Sequence, residues 1–270
     1  MANSRLRRSD RVGRQPRQGA QAIRRALTVL RILATGREEG VPLGEVVQST
    51  GLTRPTAHRI IHVLIEEGIV EKNEKSGRYA VGRQVPELAL ARQSRSPLLT
   101  AAEPYLAGVS HQLGDTLFLT VRTGLDTLCV ARRIGSYPIQ VLSIEVGARR
   151  PLGVSSAGIA ILAALPAHEA RRIVSDNEVR LAGYRTTAAL ALDQIAATRK
   201  RGYCLHHTGL VHGTRAISTT IRAFDGQPAA AITIAAVRSR LGPRREDEII
   251  EVLKRASAAI EETLRREGAG

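Results

Sequence analysis

The sequence predicts an α+β chain of two domains: a small helical unit closed by a β-hairpin, then a larger unit of strands with peripheral helices. Three observations carry this. Apolar residues recur at helical spacing from Gln21 to about Glu67 and then give way to two short β runs around a turn. Beyond Pro97, strand-like and helical runs are interspersed. At 270 residues, the chain is long enough to bury two cores.

Residues 1–20 hold six Arg with Gly, Gln and Pro and no apolar periodicity, so they are expected to form a disordered basic arm. From Gln21 to about Ala34, Ile23, Ala26, Leu27, Leu30 and Ile32 follow a near-3.6 period, which predicts a first helix. Residues 36–40, GREEG, break it. A short second helix fits Leu43–Gln48, and Thr50-Gly51-Leu52 forms a turn. Thr53 suits an N-cap, and Pro55 falls in the first turn, where its missing N–H costs nothing. The third helix should end at Gly68. Runs at Ile69–Lys72 and Arg78–Val81 flank a turn at residues 73–77. Helix, helix, turn, helix and hairpin over residues 21–83 make a winged helix-turn-helix. Residues 84–96 are expected to form a linker helix, and 97–270 the second domain.

In the third helix Ala57, Ile60, Ile61 and Leu64 share an inward face. Arg54, Thr56, His58, Arg59 and His62 fall largely off that face, where a recognition helix presents side chains to a major groove. Lys72, Lys75 and Arg78 on the hairpin suit phosphate contacts. Charge agrees: through Val85 there are sixteen basic against eight acidic residues, within a chain of net charge +15. A merely solvated helix face, or a winged helix used for dimerisation, would carry similar charges.

In the second domain a helix is expected over Leu99–Leu113, strands over Thr116–Arg122, Thr127–Arg132 and Ile139–Ile144, and helices from Ser155–Ser156 through Ala164 and over Ala167–Val174. A helix at Leu190–Lys200, a strand at Tyr203–His206, paired strands at Thr214–Ile221 and Ala229–Ala235, and a closing amphipathic helix at Arg245–Arg265 complete it. The stretch Val154–Gly158 offers hydroxyls and free N–H groups entering a helix, an arrangement that favours an anionic group. Helix capping alone would also explain Ser155 and Ser156.

No apolar run spans a bilayer, and the N-terminus lacks an apolar segment after its charges, so a cytoplasmic protein without membrane contact is expected. No phosphate-binding glycine loop, dinucleotide fingerprint or nucleophile elbow is present, so neither enzyme activity nor a cofactor is expected. Cys129 and Cys204 have no paired zinc spacing. Cys204 with His206 or His212 leaves open an alternative: a metal- or redox-responsive regulator. His207, adjacent to His206, would point to the opposite sheet face.

Several segments in order resemble the IclR family of bacterial transcriptional regulators over nearly the whole chain. They are AIRRALTVLRILA, then GLTRPTAHRIIHVLIEEGIVEKNEKSGRYAVG, then PLGVSSAGIAILAALP, RKRGYCLHHTGLVHGTRAIS and GQPAAAITIAA. The resemblance implies a DNA-binding domain, a linker helix and a GAF-like α/β effector-binding domain. It implies double-stranded operator DNA as a partner and assembly as a homodimer or dimer of dimers. It also implies a small-molecule effector, for which an organic acid or acid derivative is the expectation. The family's effector pocket uses the loop before the buried helix, the strand after Gly-Tyr and the last two strands. Carried over residue by residue, this gives Ser155, Ser156, Ala157, His206, Ala216, Ser218 and Thr233. The chain departs from the family at Gly158-Ile159, where Gly-Lys is common, and at His206 and His207, where many members are acidic. Their ligand set therefore does not transfer as a whole.

Overall fold

The computed structural model describes residues 20–36, 39–90, 97–206 and 211–268. Nearly all of the expected basic arm, residues 91–96 of the expected linker, and His207 lie outside them. The chain divides into two compact units, residues 1–92 and 93–270.

The first unit contains helices α1 (Gln21–Leu33), α2 (Leu43–Thr50) and α3 (Arg54–Glu66), the antiparallel hairpin β1 (Val70–Asn73) and β2 (Arg78–Val81), and α4 (Gln84–Leu90). Gly51 ends α2 with φ +67°, a left-handed conformation that costs glycine nothing and turns the chain into α3. Val41 bridges Tyr79 through two backbone hydrogen bonds of 2.8 and 3.0 Å, tying the loop before α2 to the hairpin. The core is Val29, Leu33, Val46, Ala57 and Ile61, all fully buried, with Val41, Val70 and Tyr79. In α1 Val29 and Leu33 are the buried positions, whereas Ile23 and Leu27, which share in the helical period, are 63% and 46% exposed. The reason is helix phase: Val29 and Leu33 lie four residues apart on one side, and Ile23 and Leu27 line up on a neighbouring side that this unit leaves uncovered.

The second unit begins with α5 (Pro97–Leu113) and builds one six-stranded sheet from β3 (Thr116–Thr123), β4 (Asp126–Arg133), β5 (Arg149–Pro151), β6 (Cys204–His206), β7 (Thr214–Arg222) and β8 (Pro228–Val237). The order is β5-β4-β3-β8-β7-β6, and every pair is antiparallel. Helices α6 (Ser156–Ala164), α7 (Ala167–Asp176), α8 (Glu178–Ala182) and α9 (Ala188–Arg201) connect β5 to β6, and α10 (Pro243–Gly268) closes the chain. Both faces of the sheet are covered. One face buries Leu117, Leu119, Ile217, Ile232 and Ile234 against α5 and α10. The other packs against α6, α7 and α9. Central β8 (PAAAITIAAV) is therefore apolar almost throughout rather than alternating.

Asp115, its side chain 1% exposed, pins this layer together. It accepts from Arg240 Nε at 2.6 Å and Arg245 Nη2 at 2.9 Å, and so joins the end of α5 to the start of α10. Arg240 also lies over the Tyr137 ring, 4.0 Å from its centroid.

The strand expected at Ile139–Ile144 does not form; this segment is irregular. The edge of β4 where a strand could add is taken by β5, which the sequence pattern did not reveal. Segment 134–148 is held by isolated backbone hydrogen bonds, Tyr137 N–H to Gly114 O at 2.9 Å and Gly147 N–H to Cys129 O at 2.8 Å, and by side chains. Gln140 donates to Gly114 O at 3.0 Å and Tyr137 O at 2.5 Å, and accepts from Thr116 Oγ1 at 2.7 Å. The segment buries Val141, 6% exposed, and leaves both Ile139 and Leu142 outside, so its burial does not follow the alternation of a strand.

Candidate DNA interface and effector cavity

On α3 a buried side faces an open one. Ala57 and Ile61 are fully buried, with Ile60 and Leu64 partly so. Arg54, His58, Arg59 and His62 are all exposed, and Thr56 is half-buried. The His58 and His62 rings lie 5.2 Å apart, one turn along the helix. Thr53 takes the N-cap position, but its hydroxyl meets that of Thr56 at 2.8 Å rather than a backbone N–H. Among the described residues no carboxylate pairs with Arg54 or Arg59, so their charge is available to an external partner. Thr56 and Arg59 also border an open apolar groove of about 360 Å³ against α1, lined by Ile23, Ile60 and Val63.

The hairpin presents three cations differently. Lys75 is exposed and its own N–H is taken by Asn73 Oδ1 at 3.0 Å, which shapes the turn. Lys72 pairs with Glu74 at 3.2 Å, and Arg78 donates to Gly40 O at 3.1 Å. Both keep unused donors for phosphate oxygens.

In the second unit, Ser155, Ser156, Ala157, His206, Ala216 and Thr233 border a single cavity, closed on its far side by Phe118, Val141 and Ile144. Helix α6 enters it by its N-terminus. Ser155 caps the helix by accepting from Gly158 N at 3.2 Å. Among the described residues the N–H groups of Ser156 and Ala157 have no acceptor, leaving two donors at the positive end of the helix dipole. Ser218 does not line the cavity. It is fully buried behind it and joins Ser156 at 2.5 Å to Thr233 at 2.7 Å. On the other side of Ser156 the chain continues to the Cys204 thiol and from there to Thr198. Burial pushes that thiol up from its ordinary range, and hydrogen bonding to Thr198 and Ser156, with Arg201 nearby, opposes this only in part. The one fixed cation at the cavity, Arg215, is committed to Glu246 and Leu241 O, both at 2.9 Å.

The cavity is small, about 30 Å³, room for no more than two or three waters. Its closing wall belongs to the irregular segment 134–148. There Arg150 donates to Ser143 O at 3.2 Å and Arg132 to Ile144 O at 3.4 Å. No pattern in the sequence pointed to Phe118, Val141 and Ile144, because they reach the cavity from segments remote in sequence from α6.

Cys129 and Cys204 are both buried and are not joined in a disulfide. Among the described residues no three His, Cys, Asp or Glu side chains are grouped closely enough to hold a metal, and His212 is exposed.

Residues 91–262 match the family model described as bacterial transcriptional regulator IclR, C-terminal, and residues 22–74 match the IclR helix-turn-helix domain. The chain belongs to the IclR family. It is 25% identical to the HTH-type transcriptional regulator TtgV of Pseudomonas putida, covering 92% of this chain and 93% of that one. It is 24% identical to the transcriptional repressor IclR of Escherichia coli, covering 89% and 88%. Among solved structures, an IclR homolog from Microbacterium hydrocarbonoxydans complexed with 4-hydroxybenzoate superposes with a TM-score of 0.69 at 25% identity, covering 91% of this chain and all of that one. An IclR family regulator from Brucella abortus superposes at 0.74 with 22% identity, covering 91% and 93%. The chain is thus an IclR-type transcriptional regulator with a helix-turn-helix DNA-binding domain and a C-terminal effector domain. Among its described residues, no helix is long and apolar enough to cross a membrane.

Proposed function

We propose that this regulator acts in the cytoplasm as a homodimer or dimer of dimers, reads a near-palindromic operator through α3, and responds to a small organic acid bound at the N-terminus of α6. The observation that carries the reading is the division of α3 into a fully buried face and an exposed cationic one. Arg54, Thr56, His58 and Arg59 meet base edges or groove walls, with His62 beside them, and Lys72, Lys75 and Arg78 hold phosphates. Two such helices reach successive major grooves about 34 Å apart.

For the effector, the free N–H groups of Ser156 and Ala157 supply anion donors, and His206 and Thr233 supply polar contacts. The binding of 4-hydroxybenzoate by a relative of similar fold supports the acid class. A cavity of about 30 Å³ cannot admit such a molecule as it stands, so segment 134–148 moves when the effector enters. The effector changes operator affinity only by the difference in its own affinity for the two states.

A thermal-shift screen of small carboxylates, 4-hydroxybenzoate included, tests the effector half. A binder should raise the midpoint in the wild type, since a ligand at a hundred times its Kd adds about 2.7 kcal/mol. The shift should shrink in Thr233→Val. An equal shift in both removes Thr233 from the site. The metal- or redox-responsive alternative finds no support in a Cys204 that is buried and held as a thiol.

A further inference from the structure

A second concavity lies on the far side of α6 from the effector cavity. Strand β6 begins its pairing at Cys204↔Ser218, while β7 runs on to Arg222, so Thr219–Arg222 has no neighbouring strand on that edge among the described residues. A groove of about 400 Å³ occupies the space, bounded by the C-terminal ends of α6 and α9 and by α10. Its floor is made of short side chains, including Ala160, Thr219 and Ser257. That volume falls in the range of small-molecule sites.

Charge and an unsatisfied group give the groove its chemistry. Arg199, Arg222 and Lys254 all border it, and among the described residues none is in an ion pair. Arg199 donates Nε and Nη2 to Ala163 O and Leu165 O, and Arg222 donates Nη1 to Gly226 O. Each guanidinium is thereby fixed in place with other donors unused. Lys254 lies over the Tyr203 ring, 5.9 Å from its centroid. The one acid at the groove, Glu261, already accepts the N–H of Arg222 at 2.8 Å. On the wall, Thr198 is 4% exposed, and its hydroxyl has no oxygen or nitrogen partner. It reaches only the Cys204 thiol, a weak partner. A buried hydroxyl left this way costs stability unless something else satisfies it.

We propose that this groove is a second small-molecule site, distinct from the cavity at the start of α6, and that it takes a multiply charged anion. Arg222 and Lys254 hold its charged groups, and Arg199 borders it beside them. Phosphate esters and polycarboxylates share the required chemistry.

Titration calorimetry of the full chain with inorganic pyrophosphate and, separately, citrate tests this. One anion per chain should bind, with the tighter of the two probes assigning phosphate or carboxylate as the preferred group. The double variant R222A/K254A should weaken binding at least about tenfold, the loss expected from two charge-assisted contacts. Lys254→Ala alone, which leaves the Gly226 turn intact, should show a smaller loss. K72A/K75A on the hairpin should bind as the wild type does, which separates the groove from the basic DNA-binding surface. Two results overturn the proposal: R222A/K254A binding both anions undiminished, or neither probe binding the wild type below about 1 mM.

Discussion

Helices α3 and α6 are built from similar parts and put to opposite uses. Each begins at a hydroxyl residue, Thr53 or Ser155, and each offers polar side chains near its N-terminal end. In α3 these are cationic and exposed, backed by Ala57 and Ile61 with no exposure at all. In α6 every residue from Ser156 to Leu162 is buried, and the polar groups are neutral hydroxyls that satisfy one another. A helix that keeps unpaired charge in water while burying its other side is open to a partner outside the chain. A helix buried all round, with two backbone donors left over, is open only to what enters the cavity. The difference also predicts where mutations act: on binding for α3, on stability for the layer around α6.

Asp115 should give the largest effect. Asp115→Ala leaves Arg240 and Arg245 without their buried carboxylate, and chemical denaturation should show a loss of about 3–5 kcal/mol. A loss below about 1 kcal/mol would mean that the two arginines find other acceptors. Ser218→Ala comes next. It removes the shared partner of the Ser156 and Thr233 hydroxyls, at a cost of about 1–3 kcal/mol, and should weaken effector binding although Ser218 never touches the cavity. Unchanged stability together with unchanged effector affinity would show that the hydroxyl chain has no positioning role. Ser155→Ala removes the cap on Gly158 and should cost about 1 kcal/mol. At the small end, Arg54→Ala and Lys75→Ala on the open surface should move stability by less than about 0.5 kcal/mol. A larger drop in either would blur the contrast between the two helices.

How much of this was legible beforehand follows from the range of the interactions. The winged unit rests on local signals: Gly51 and Gly68 as punctuation, Pro55 in the first turn, and a 3.6-residue period in α3. Its elements were expected within a residue or two. The period of α1 predicts a helix but does not show which of its apolar residues are buried, because packing against α2, α3 and β2 decides that. Ile139–Ile144 has the alternation of a strand but pairs with none; of its apolar residues Val141 is buried over the cavity. Ser218, expected by segment at the cavity, shares a face of β7 with Ala216 but lies two residues further along, covered by Ser156, a partner 62 residues away. Phe118, the Asp115 cluster and the groove beside β7 have no local signature, because each is assembled from segments far apart in sequence.

Operator binding at several salt concentrations tests the central claim most directly. Fluorescence anisotropy should be measured with a labelled fragment from upstream of the gene, using the wild type and R54A/R59A, from about 50 to 200 mM salt. For the wild type, log affinity should fall linearly with log salt, with a slope near −0.9 for each phosphate neutralised. R54A/R59A should lose at least about tenfold in affinity at every salt concentration while unfolding at the same midpoint. A wild type that ignores the fragment at 50 mM, with and without small acids, or a variant that binds as well as its parent, would contradict the account of α3.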